Sequence, residues 1–182
     1  MDYIRDASDA VISKAYSSSD SYVLYGGVGT TEETYWAAYL NNTWKTAISD
    51  EYENMLVEGT YYLGTVSDGT SYKYSICSTA SNTITTKECT KTNSTWTGFV
   101  GLPRYGEMFA TQQGSGYSSS SSMWLITPYT TSRVWRMSSD GNADNYYPTY
   151  ADATRPSINL KSNVVITGGS GTEFEPYEIG LA

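Results

Sequence analysis

Asp140, Asn142 and Asp144 stand at alternate positions of SDGNADN, the spacing with which a calcium loop begins, because a hard cation gathers several oxygens from one tight turn. The pattern then breaks. Gly141 is displaced from the turn position, and Ala151 stands where an EF-hand places its closing bidentate glutamate, so the segment reads as an Asx-rich turn and no metal site is assigned. Histidine is absent from the chain, which removes the commonest general base and the commonest transition-metal ligand together. Ser-His and Cys-His nucleophile systems are thereby excluded. The acid pairs Glu32 with Glu33, Glu51 with Glu53 and Glu173 with Glu175 lie on segments that read as solvated loop or exposed helix face. No catalytic residue and no cofactor is assigned.

The side chains suited to recognition concentrate in one region. Tyr129, Tyr146, Tyr147 and Tyr150 offer large amphipathic contact area at low entropic cost, and Thr130, Thr131, Ser138, Asp140, Asn142, Asp144, Asn145 and Asp152 offer adaptable hydrogen bonds. Arg133 and Arg136 lie on either side of Trp135 in a strand pattern, and both are expected to point away from it with forked donors suited to carboxylates or aromatic faces. Trp124, inside an apolar run, and Trp135, alternating with polar neighbours, are read as core side chains and not as sugar-stacking platforms.

These residues need elements to hold them. Ile4, Ala7, Val11 and Ala15 recur every three or four positions, which predicts a helix over 3–16. Residues 21–25 alternate before Gly26 and Gly27 and predict a short strand. Trp44, Ile48, Tyr52, Met55 and Leu56 have helical period after Asn41, Asn42 and Thr43, any of which could cap the first turn, and Gly59 stands where a helix stops. TYYLGTV, SYKYSICS and ITTKECT read as an antiparallel meander. A strand is predicted to pass through Pro103 into a short helix over 104–110, with Met108 and Phe109 inward. The run Ser118 to Ser122 reads as a polar loop, MWLIT and VWRMS as strands, 139–154 as a loop, and RPSINLK, NVVITG and TEFEPYEI as further strands. Early helices followed by many short strands, without alternation, predict an α+β fold with an antiparallel sheet.

Bulk properties narrow the setting. The 182 residues suit one domain, and charged residues make up only 16% of them, against about 25% in typical globular domains. A net charge of -8 repels phosphate backbones, so nucleic acid is not an expected partner. Cys77 and Cys89, the only cysteines, flank a polar stretch between strand-like runs and suit a hairpin-closing disulfide in an oxidising, extracellular compartment. The N-terminus lacks the basic and apolar regions of a signal peptide, and an export signal or anchor is expected to have preceded it.

The segment MWLITPYTTSRVWRMSSDGN, with the RPSINLKSNV that follows, resembles a bacterial family of C-type-lectin-fold domains. In that family a Trp-Leu strand, a variable polar loop, a Ser-Asp-Gly turn and an Arg-Pro strand recur, and the likeness covers roughly the last third of the chain. WTGFVGLPRYGEMFATQ and VITGGSGTEFEPYEI are similar to the ectodomains of pilin-like proteins from gut-type Firmicutes. The resemblance implies a C-type-lectin-like head over 21–182 and, over 1–20, an N-terminal helix left from an anchor or spine, together forming a single ligand-binding ectodomain. It also implies a structural ion pair for Arg155, with Glu107 as the expected partner. The Glu-Pro-Asn and Trp-Asn-Asp motifs of calcium-dependent sugar binding do not occur at the corresponding positions, so that activity is not carried over.

Such folds commonly carry residues varied by diversity-generating retroelements, which mutate adenines and turn AAC-type codons into codons ending in C. Those codons cannot encode Lys, Glu, Gln, Met or Trp, and none of these five occurs from Ser138 to Leu160. The leading expectation is therefore a non-enzymatic binding protein displayed on a cell surface or pilus. Its expected partner is a protein or cell-surface target on another cell or a phage, with other pilin subunits as further partners and a membrane reached only through the N-terminal anchor. The alternative is a structural pilin-like subunit without a specific ligand. A carbohydrate-active enzyme head would need two carboxylates about 5–10 Å apart across a groove, and no such pair is evident.

Overall fold

A computed structural model describes residues 3–27, 32–63, 95–110, 121–172 and 174–182. Cys77 and Cys89, the two meander strands that contain them, and Ser118 to Ser120 lie outside the described residues.

The first segment is not the helix that its periodicity predicts, and it supplies no spine helix. Asp6 Oδ1 accepts from the backbone N–H of Ser8 at 2.8 Å and of Ala10 at 3.1 Å, while Arg5 Nη1 donates to the Asp9 carbonyl at 2.7 Å. Such local side-chain bonds offer the backbone a turn in place of a helix. Asp9 adopts φ 66°, and Arg5 and Val11 form an antiparallel bridge across the turn. Tyr3 and Ile4 are buried, whereas Ala7, on the supposed apolar face, is exposed. Strand β1 (Lys14–Ala15) follows. Residues 21–25 form turns instead of the expected strand, and Tyr25 is drawn into the core, where its hydroxyl donates to the Val100 carbonyl at 3.0 Å.

The next helix starts earlier than its caps predict. It runs as α1 (Trp36–Ala38), a π-helical stretch (Tyr39–Trp44) and α2 (Lys45–Ala47), breaks where Ile48 takes ψ 154°, and resumes as α3 (Asp50–Glu53). Trp36, Ala37, Ala38 and Leu40 are its buried stripe, while Tyr52 is exposed. Asn41 is not a cap. Its amide donates to the carbonyls of Ala37 and Val100 at 3.0 and 2.9 Å and accepts from the N–H groups of Phe99 and Val100 at 3.2 and 3.0 Å. One side chain thus satisfies four backbone groups, and the widened π-turn lies where it reaches across.

Strand β2 (Gly59–Tyr62) pairs antiparallel with β3 (Thr95–Gly98), and β4 (Val100–Gly101) precedes α4 (Tyr105–Ala110), as the sequence predicts for the residues around Pro103. Met108 packs on the core.

Strands β5 (Met123–Pro128), β6 (Val134–Met137) and β7 (Ala143–Tyr146) form an antiparallel sheet in that order. Trp124 faces Arg136 across the ladder, Arg136 faces Asp144, Trp135 faces Asn145 and Val134 faces Tyr146. Alternation sends successive side chains to opposite faces. On one face Trp124, Ile126 and Val134 join Ile4, Tyr16, Tyr25, Trp36 and Leu40; on the other Met123, Leu125, Trp135 and Met137 join Tyr3, Tyr105 and Ala153. The sheet therefore lies between two core clusters, which is why β5 opens with four consecutive apolar residues, Met123 to Ile126, and is buried at every position. Burying each large side chain contributes about 1.5–3 kcal/mol.

The segment expected as a loop over 139–154 contains β7 and also β8 (Ala151–Asp152), which pairs with β1 through Lys14 and Asp152. Strand β9 (Ser157–Ile158) pairs with β4, and β10 (Val164–Gly168) pairs with β11 (Glu178–Leu181) as a separate hairpin. The described architecture is mixed, with mostly antiparallel sheets and short helices. No described helix is long and apolar enough to cross a membrane.

Candidate functional site

The predicted recognition residues fall into three groups, which the β6–β7 hairpin separates. At its closed end, Ser138 N–H donates to the Asn142 carbonyl at 2.9 Å, and Gly141, at φ 83°, makes the reversal that a side chain would hinder. Asp140 closes this turn, taking the Asn142 N–H at 3.0 Å and the Asn142 side-chain amide at 2.9 Å, together with the Ser138 hydroxyl. The bonds from Ser138 and then Asn142 lower the Asp140 pKa to about 2. Both carboxylate oxygens are spent on the turn, and among the described residues no three acid, cysteine or histidine side chains converge on a point that could hold a metal.

Arg136 forms the second group. Its Nε and Nη2 donate to Asp144 Oδ2 at 3.0 and 2.7 Å, its Nη1 donates to Asp152 Oδ2 at 2.8 Å, and the ring of Tyr146 lies 4.3 Å from the guanidinium. Burial opposes the arginine charge, and the bonds to Asp152 and Asp144 outweigh it, so its pKa is raised. Burial also raises the Asp152 carboxyl, with Arg136 pulling the other way. Trp36 Nε1 donates to the Asp152 carbonyl at 2.9 Å, fixing β8 beside α1. Arg136, Asp144 and Asp152, expected on the binding surface, instead tie three strands together.

The third group lies at the open end of the hairpin. Parity corrects the expectation that both arginines point away from Trp135: Arg133 is two residues from it and shares its face, while Arg136 takes the other. Arg133 Nη1 donates to Asn145 Oδ1 at 3.1 Å, Nη2 donates to the Tyr147 hydroxyl at 3.3 Å, and the Tyr147 ring centroid is 4.7 Å from the guanidinium carbon. The turn beside it is closed by Tyr129 and Thr130 N–H groups donating to the Arg133 carbonyl at 2.8 and 3.1 Å. Tyr129 is half-buried with its ring against Trp135, whereas Thr130 and Thr131 are exposed. Tyr147 and Tyr150 are 37% and 53% exposed, and Tyr150 stands edge-on to Tyr146 at 4.5 Å, which itself packs on the core.

Trp124 and Trp135 are buried, as expected of core side chains. Arg155 is buried as well, but its guanidinium lies over the ring of Tyr3 at 4.7 Å. Glu107, its expected partner, accepts from Arg104 Nη2 at 2.7 Å and from the Arg104 backbone N–H at 2.9 Å, because Arg104 is three residues away, immediately before α4.

Sequence reasoning missed a cleft of about 230 Å³ lined by Thr60, Tyr61, Leu102, Arg104, Glu107, Ser157 and Asn159. These residues come from separate segments and carry no shared motif, so only strand pairing could have assembled them. Comparison with protein-family models, with curated proteins and with solved structures finds no match.

Proposed function

We propose that the chain is a ligand-binding domain of the C-type-lectin type, displayed outside the cell on a surface or pilus, whose binding face is the open end of the β6–β7 hairpin. The observation carrying this reading is the placement of exposed Tyr147 and Tyr150 just beyond the open end of a hairpin whose strands are held by core packing and ion pairs. Rigidly mounted aromatic side chains with a neighbouring arginine are the usual anchors of binding surfaces. The residue types from Ser138 to Leu160 fit diversification by a retroelement.

The test is to sequence the encoding locus. A nearby reverse transcriptase and an imperfect repeat of the codons for residues 129–160, differing only at adenines, is the expected result. A locus with neither removes the diversified-face reading.

A structural pilin-like subunit is the second reading, and the β10–β11 hairpin favours it. Val165, Ile166, Tyr177 and Leu181 on that hairpin, with Phe174 in its turn, are between 43% and 95% exposed. Concentration-dependent association in sedimentation velocity, abolished by Ile166→Lys, would favour assembly over ligand binding.

A further inference from the structure

Resting on the binding-face reading above, we propose that the open end of the β6–β7 hairpin carries a subsite for an acidic sugar, in which Arg133 takes the carboxylate and its neighbours take adjacent hydroxyls.

Arg133 makes no ion pair with an acid among the described residues, and Asp144 acts on it only at longer range. By contrast, Arg5 pairs with Asp9, Arg104 with Glu107, and Arg136 with two aspartates. A chain with 19 acidic and 11 basic side chains has acids to spare for such a partner. Arg133 is nevertheless held in place, by the Asn145 and Tyr147 oxygens and by stacking on the Tyr147 ring. A merely solvated arginine has no need of three neutral contacts that cost it rotamer freedom.

The donors left over define the ligand. A guanidinium has five N–H groups, and two of those on Arg133 are spent. Asn145 uses its Oδ1 on Arg133, and its amide nitrogen donates to no described residue. This corner is rich in donors and poor in acceptors, which matches an anionic, acceptor-rich group, and a guanidinium fork fits a carboxylate. Thr131 and Tyr147, both exposed residues on the flanking turn and strand end, carry hydroxyls that suit sugar hydroxyls, and the Tyr147 hydroxyl, which accepts from Arg133, keeps its own proton to donate. Asp144, 41% exposed on the neighbouring strand, and the net charge of -8 disfavour a ligand with clustered negative charges. An isolated carboxylate among hydroxyls is the chemistry of a uronate residue in a surface glycan, and an acidic peptide segment fits less well.

The test uses nuclear magnetic resonance on the whole chain, following the Arg133 Nε–H and the Asn145 side-chain amide signals during titration with galacturonate, glucuronate, glucose, acetate and an N-acetylated glutamyl amide. Saturable shifts with a uronate, no shifts with glucose, and binding at least about tenfold weaker with acetate are expected. Arg133→Gln should weaken uronate binding at least about tenfold, in line with loss of a charge-assisted bond, and Arg133→Lys should restore it only in part. Backbone amide signals elsewhere report that each variant is folded.

Absence of shifts with either uronate overturns the proposal, and so do equal shifts with acetate, which mark a general anion site. A preference for the glutamyl amide overturns it in favour of a peptide ligand. Any of these results together with an adenine-differing repeat at the locus would leave the binding-face reading standing and remove only the acidic-sugar assignment.

Discussion

Arg136 and Asp152 meet at 2.8 Å with side chains only 17% and 14% exposed, so an arginine that the sequence places on a binding surface works as an internal tie between β6 and β8. Removing one member leaves the other charge largely buried and uncompensated. Arg136→Met should therefore cost about 3 kcal/mol in urea denaturation. Arg136→Met with Asp152→Leu should cost less than Arg136→Met alone. Equal costs would mean that the carboxylate is solvated in the absence of its partner.

The two titrating aspartates have opposite signs. Burial holds the folded pKa of Asp152 above the ordinary carboxylate value of 3.8, so the folded state holds its proton more tightly, and this group's contribution to stability declines as pH rises from about that value through the folded pKa. In Arg136→Met the decline should extend to higher pH, because the stabilising bond to the carboxylate is gone. Stability measured at intervals between pH 3 and 7 checks the direction.

Asp140, with its pKa lowered to about 2, contributes stability above its unfolded value and loses it as pH falls through the folded one. Carbon-detected titration should place its midpoint near 2, and Ser138→Ala should move it up toward 3.8 because the hydroxyl bond that lowers it most is lost. An unmoved midpoint would assign the shift to Asn142 instead.

Asn41 should be intolerant of apolar replacement. Asn41→Leu takes the Asn41 partner from the Phe99 and Val100 N–H groups and leaves the Val100 carbonyl only the Tyr25 hydroxyl, beside a fully buried Val100, at a cost of about 3 kcal/mol. Thermal unfolding of Asn41→Leu measures it, and a loss under about 1 kcal/mol would show that water replaces the amide.

Tyr147→Ser with Tyr150→Ser should change stability by less than about 1 kcal/mol, since both rings are partly solvated, yet should abolish recognition at the hairpin end. Uronate titration of this double variant, alongside urea denaturation, separates the two effects.

The sheet was legible where apolar composition and strand spacing agree. MWLI can satisfy both faces of a buried strand only between two layers of core, and VWRM alternates about a single arginine whose partners arrive from β7 and β8. The first segment was misread because periodicity records which residues are apolar and ignores Asp6, whose side chain competes for the same N–H groups. In the next helix Asn41 looked like a cap, since its sequence neighbours do not reveal that β4 lies across from it with backbone groups to satisfy. The residues singled out for recognition divide between hairpin ends and sheet faces in a way that depends on the register of β6 with β7, which residue types alone do not fix.

The sheet between its two core clusters also has a consequence for how the chain tolerates change. Val134, Trp135 and Met137 anchor β6 from both sides, while Thr130, Thr131, Tyr147 and Tyr150 extend beyond the anchored ladder. Mutations at those outer positions should change the folding equilibrium little, because most of the interactions that keep the chain folded lie in the anchored strands and not in the side chains it presents. A lineage carrying this domain can explore new surfaces at the hairpin end without first acquiring compensating stability elsewhere.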